Sequence, residues 1–192
     1  MIFNNQEQLA RFAIEYFLKN HQQPIINSDQ VDKKLKEKKS CFVTLYLQNE
    51  LRGCIGDYIA YEPLYQNIVK NAIRAAFYDP RFLPISEKEL PNLKIEVSVL
   101  SPLTEYRYKS IKELLDFLAK EKPGILIEKN GHRALFLPQV WQTLKNPDEF
   151  LSNLCYKAGL PFLAWKEGGM KIWTFSVIKE NTNATTVDKQ AK

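Results

Sequence analysis

Asn130-Gly131 stands between two runs rich in strand-forming residues, Gly124 to Lys129 and His132 to Leu137, and constrains this chain more than any other local feature. A two-residue hairpin turn of type I′ needs positive φ at both central positions, which Asn and Gly adopt at little cost. A second hairpin is expected earlier. Cys41-Phe42-Val43-Thr44-Leu45-Tyr46-Leu47 is rich in β-branched and aromatic residues, Gln48-Asn49-Glu50 gives a turn, and Leu51 to Gly56 returns. Leu93, Ile95, Val97 and Val99 alternate with Lys94, Glu96 and Ser98, a half-buried strand ended by Pro102. Met170 to Lys179 makes a last strand through Ile172, Trp173, Phe175 and Val177.

Helices fall irregularly between these strands. Leu9, Phe12, Ala13, Tyr16 and Phe17 form one stripe of an amphipathic helix over residues 5 to 20. Pro63 opens a second, largely buried helix with Leu64, Ile68, Ala72 and Ala76 at four-residue steps. It must end near Tyr78, because Asp79 precedes Pro80 and a residue before proline is pushed out of the helical region. Residues 79 to 92, with three prolines, are expected to form a loop, and residues 110 to 120 a short helix. A further helix over 147 to 158 enters at Asn146-Pro147 and leaves at Gly159. Strands joined by hairpins, with helices interspersed, imply an α+β fold with a mainly antiparallel sheet flanked by helices. No repeat or flexible linker divides the 192 residues, so one folded unit is expected, with the polar stretch 181 to 192 frayed.

The longest apolar stretches are far short of the roughly 18 to 20 residues that span a bilayer, and the N-terminus lacks the basic start and apolar segment of a signal peptide. A cytoplasmic protein is therefore expected. Three widely spaced cysteines suit reduced thiols, and two histidines with no Cys-x-x-Cys pair offer no recognisable metal-ligand set. Lys33, Lys34, Lys36, Lys38 and Lys39 against Glu37 hold most of the net charge of +5. Such a run reads as a mobile, solvated loop rather than a nucleic-acid footprint. The chain lacks Gly-x-Gly-x-x-Gly, Walker, Gly-x-Ser-x-Gly and His-Glu-x-x-His motifs, which removes support for Rossmann oxidoreductases, P-loop hydrolases, α/β-hydrolases and zincins.

Leu51-Arg52-Gly53-Cys54-Ile55-Gly56 is the most unusual local sequence. Period-two alternation puts Arg52 and Cys54 on one strand face, where a guanidinium would favour the reactive thiolate. The alternative is a buried packing thiol, with Gly53 and Gly56 admitting either a substrate or another backbone. Asp79 and Arg81 follow the second helix and would either pair, fixing the loop, or point into a shared cleft as binding residues. Glu96 and Ser98 share the face opposite the apolar set. If that face lines a pocket, Glu96 is the natural general base and Ser98 a substrate contact.

Taken together, the hexapeptide at 51 to 56, Ala75-Ala76-Phe77 leading into Asp79-Pro80-Arg81-Phe82, Glu96 through Pro102, Leu137-Pro138-Gln139-Val140, and Cys155 through Leu160 with Trp165 resemble the AMMECR domain family, called AmmeMemoRadiSam system protein A in prokaryotes. The resemblance runs from about residue 9 to residue 178, and it departs at Asp57, where a small or hydroxyl residue is expected. It implies a two-lobed α+β domain over residues 1 to 180, with the larger lobe built on an antiparallel sheet. It implies no established reaction and no known cofactor. It does imply association with a Memo-type protein and a radical SAM protein, either as an enzyme component of a modification pathway or as a non-catalytic module that docks them. Carried over residue by residue, it puts Arg52 and Cys54 first and Asp79 and Arg81 next.

Overall fold

The computed structural model describes residues 2–178 and divides their strands between two antiparallel four-stranded sheets. The first contains, in spatial order, β2 (Glu50–Gly56), β1 (Cys41–Leu47), β3 (Leu93–Leu100) and β8 (Val177–Ile178). The second contains β4 (Thr104–Tyr106), β7 (Lys171–Phe175), β5 (Gly124–Lys129) and β6 (His132–Phe136). The α+β class and the antiparallel pairing are as expected, but one sheet becomes two. The strand expected over Met170 to Lys179 breaks at Ser176, whose N–H donates to Ser101 Oγ and whose carbonyl accepts from Ser101 N–H, both at 2.9 Å. There the chain leaves the second sheet and joins the first. β4 is only three residues long, too short to show alternation. The stretch 181 to 192 lies outside the described residues.

Both expected hairpins form. Gln48 and Asn49 take φ of 53° and 66°, and Asn130 and Gly131 take 52° and 82°, the left-handed pairs a type I′ turn requires. One face of the first sheet, with Cys41, Val43 and Leu45 opposite Val99, Val97 and Ile95, packs on α1 (Gln6–Asn20) and α2 (Leu64–Phe77). α1 is rotated slightly from its expected stripe. It buries Leu9, Ala10, Ala13 and Ile14, while Phe12 and Phe17 sit at the core margin against Phe3 and Phe77.

Gly53 lets α2 approach β2. A Cβ there would stand 2.2 Å from the Ala75 carbonyl oxygen, and at Gly56 it would stand 2.3 Å from the Phe42 ring. The room left by these two glycines is filled by the protein itself. The lysine run is likewise not an open loop. Lys33–Lys36 forms a 3₁₀ turn capped by the Asp32 side chain, with Leu35 only 1% exposed in the core. One buried apolar residue among the lysines anchors the segment, and the ammonium groups stay at the surface.

The second sheet packs against α3 (Ile111–Glu121) and α4 (Pro147–Lys157), around Leu114, Leu118, Phe150 and Trp165. Trp141 stacks on Phe150 with ring centroids 3.8 Å apart. Leu100, Leu126, Leu135 and Phe175, with Phe42 against them, form a smaller core that joins the two sheets. The outer face of the first sheet is thereby turned toward the second unit.

Candidate functional site

In the first sheet Thr44 is the register partner of Cys54 on β2 and of Glu96 on β3, so three polar side chains share one row on the face away from the helices. Cys54 Sγ lies 3.3 Å from Thr44 Oγ1. In the next row Phe42 pairs with Gly56 and Ser98. Cys54 is half-buried, whereas Cys41 and Cys155 are fully buried and burial pushes both of those thiols up.

Behind Cys54, the loop after α2 is clamped to β2. Asp79, with a side chain 2% exposed, accepts four hydrogen bonds. Its Oδ2 takes the Cys54 N–H at 2.9 Å and Arg81 Nη2 at 2.6 Å. Its Oδ1 takes the Arg81 N–H at 3.1 Å and Nε at 2.9 Å. The Arg81 guanidinium, opposed by burial and helped by the two backbone donors, holds the Asp79 carboxyl down at about 2. Arg81 Nη2 also donates to the Cys54 carbonyl at 3.1 Å, so both backbone polar groups of Cys54 are used. Asp79 and Arg81 therefore pair with each other and with backbone, and half of the Arg81 side chain remains exposed.

Arg52 departs from simple alternation. The pairs Leu45 with Gly53 and Tyr46 with Leu51 leave Arg52 as the extra residue of a β-bulge, which re-aims its side chain. Its Nε donates to Glu89 Oε1 at 2.7 Å and its Nη2 to the Pro84 carbonyl at 3.4 Å. Both Arg52 and Arg81 lie against the Phe82 ring, at 6.0 and 5.4 Å. The hydrogen bond from Arg52, against burial, holds the Glu89 carboxyl at about 2. Arg52 thus ties the 79 to 92 loop to the strand that carries the thiol.

Two further groups meet at this face. Lys157, from the end of α4, donates to the Leu135 carbonyl at 3.0 Å and lies 5.0 Å from the Phe136 ring. Desolvation lowers its pKa, and it lies within electrostatic reach of Cys54 and Arg81. Tyr46 is pushed up by burial and then by the charges of Glu96 and Cys54. Beyond β3, Gln139 Nε2 donates to Glu96 Oε1 at 3.1 Å and to Ser98 Oγ at 3.0 Å. These three residues line a cleft of about 860 Å³ between the two sheets.

The structure brings Cys54, Glu96 and Ser98 to one face, sets Asp79 and Arg81 behind Cys54, and sends Arg52 to the loop. Thr44 could have been found by pairing the first hairpin. Gln139 and Lys157 lie inside recognised motif stretches, but no local pattern points them at the site. Asp57, the departure from the expected residue type, accepts from Asn67, Asn71 and Lys70 at 3.0 to 3.2 Å. Burial opposes its charge, and the Lys70 and Asn71 hydrogen bonds still leave its carboxyl below the ordinary value. Among the described residues no group of three or more His, Cys, Asp or Glu is placed to hold a metal, and no helix is long and apolar enough to cross a membrane. A half-buried thiol beside a hydroxyl, two cations and a carboxylate has the parts of a nucleophile and its proton-handling partners.

The chain is similar to proteins of several archaea. Protein NEQ441 of Nanoarchaeum equitans is 37% identical over 177 residues, covering 89% of this chain and 95% of that protein. Protein MJ0810 of Methanocaldococcus jannaschii is 38% identical over 173 residues, covering 86% and 83%. The crystal structure of uncharacterized protein PH0010 from Pyrococcus horikoshii superposes with a TM-score of 0.82 at 36% identity, covering 89% of this chain and 86% of that one. The AMMECR1 family model matches residues 7–179, and the chain belongs to the AMMECR1 family.

Proposed function

We propose that this protein is an enzyme, or the enzyme component of a modification pathway linked to Memo-type and radical SAM proteins, and that it works in the cytoplasm with Cys54 as nucleophile. The supporting observation is the setting of that thiol. It is the half-buried cysteine of the three, its Sγ meets the Thr44 hydroxyl, and its backbone is locked by the Asp79 and Arg81 clamp. Arg81 and Lys157 lie within electrostatic reach of Cys54, and Glu96 on the same row takes or returns protons on the substrate. Ser98, expected as a substrate contact, is buried and instead holds Gln139 beside Glu96, and Arg52 positions the loop that carries the clamp.

The test is to incubate wild type and Cys54→Ala with a metabolite extract, following metabolite consumption and mass adducts on the Cys54 peptide. The expected result is a change made by the wild type and lost in a folded Cys54→Ala protein. Identical profiles would refute the proposal. A second reading, a non-catalytic module docking the same two partner proteins, is favoured by one observation: Tyr78 and Leu83, 63% and 82% exposed, flank the clamp. That reading expects Tyr78→Ser with Leu83→Ser to abolish co-purification of a Memo-type protein while Cys54→Ala leaves it intact.

A further inference from the structure

We infer that the cleft between the sheets binds a small molecule carrying an amine head on a short apolar body. The inference rests on the proposed function only in sharing Glu96. The key observation is the orientation of Gln139. Its Nε2 donates to a carboxylate oxygen and to the Ser98 hydroxyl, and a flipped amide would aim its carbonyl at the Glu96 carboxylate, so the neighbours fix which end is which. The other end, Gln139 Oε1, is buried without a hydrogen-bond partner. Ser98, only 1% exposed, holds the amide from beneath.

Glu96 receives the Gln139 amide and, among the described residues, no Lys or Arg nitrogen. The polar end of the cleft therefore offers the Glu96 carboxylate with the unpartnered Gln139 oxygen buried beside it, two acceptors that no Lys or Arg nitrogen contacts among the described residues. An ammonium group is donor-only and matches that pair, whereas a carboxylate or phosphate would face two like partners. The rest of the wall is mixed: Val97, Phe117, Phe175 and Val177 give it apolar surface, and Glu121 and Lys122 also line it. Its volume of about 860 Å³ suits a small organic ligand rather than an ion.

The experiment uses the full chain and three matched probes, 3-phenylpropylamine, 3-phenylpropionate and 3-phenylpropanol, titrated by NMR with amide shifts mapped to the cleft. Saturable binding of the amine is expected, with the propionate at least about tenfold weaker. Glu96→Gln and Gln139→Leu should each weaken the amine by a similar factor, with melting curves confirming that both variants fold. Cys54→Ala should bind the amine as wild type does. Equal affinity for amine and propionate, which needs no variant, would overturn the inference, as would amine affinity unchanged in folded Glu96→Gln. Amine binding retained in a protein that proves to have no thiol chemistry would sink the enzyme proposal alone, and reactive Cys54 with no amine binding would sink this one alone.

Discussion

Replacing Asp79 with Asn removes one charge while keeping the shape of the side chain, and it should destabilise the protein measurably. Four donors converge on this carboxylate: the Cys54 and Arg81 N–H groups and two guanidinium nitrogens. An Asn must turn its NH₂ toward either the Cys54 N–H or the Arg81 donors, setting donor against donor at a side chain 2% exposed. Loss of hydrogen bonding to a charged group costs about 1.5 to 3 kcal/mol. The drop of the Asp79 pKa from its usual 3.8 to about 2 gives, at about 1.4 kcal/mol per unit, an upper bound of about 2.5 kcal/mol, trimmed by solvent at the exposed end of Arg81. For a chain of this length the melting temperature should fall by roughly 3 to 12 °C. Calorimetry at pH 6 reads the difference directly. The folded-state pKa is depressed, so the stabilisation is complete above the unfolded value near 4 and is lost as pH falls toward about 2. The gap between wild type and variant should close over that window. A melting temperature unchanged at pH 6, or a gap that does not narrow in acid, would refute the clamp.

Gly53→Ala should cost about 1 to 3 kcal/mol or more, because its Cβ would meet the Ala75 carbonyl oxygen at 2.2 Å and α2 would have to move; a urea midpoint equal to wild type would show that the close approach is not required. In the lysine run, Leu35→Ala should cost about 2 to 5 kcal/mol, while serine at Lys33, Lys34 and Lys36 should shift stability by no more than about 0.5 kcal/mol; denaturant melts that reverse this order would restore the picture of an unanchored loop.

Much of the fold was legible because it rests on short-range rules. The Asn130-Gly131 turn, the proline before the buried helix and the alternation through Leu93 to Val99 each act within a few residues, and each element forms where expected. The misses share a cause, namely tertiary partners that no window contains. Ser101, far away in sequence, breaks the last strand at Ser176 and so makes two sheets of one. A bulge at Arg52 defeats period-two alternation and hands its guanidinium to Glu89. At the site, Cys54, Glu96 and Ser98 could be chosen because they occupy one face of predicted strands. Gln139 and Lys157 come from a 3₁₀ turn and a helix end, and only chain folding brings them there.

The most direct test of Cys54 as the working nucleophile is native-state alkylation with iodoacetamide, resolved by mass spectrometry for each cysteine over time. Cys41 and Cys155 are fully buried and burial pushes their thiols up, so they should react only through opening of the structure, whereas Cys54 is half-buried on the sheet face away from the helices. Cys54 should be modified at least about tenfold faster than either and should reach completion while the protein remains folded. If Cys54 stays unmodified until the protein unfolds, with all three thiols reacting together, it is a packing residue, and the proposed chemistry on this face is wrong.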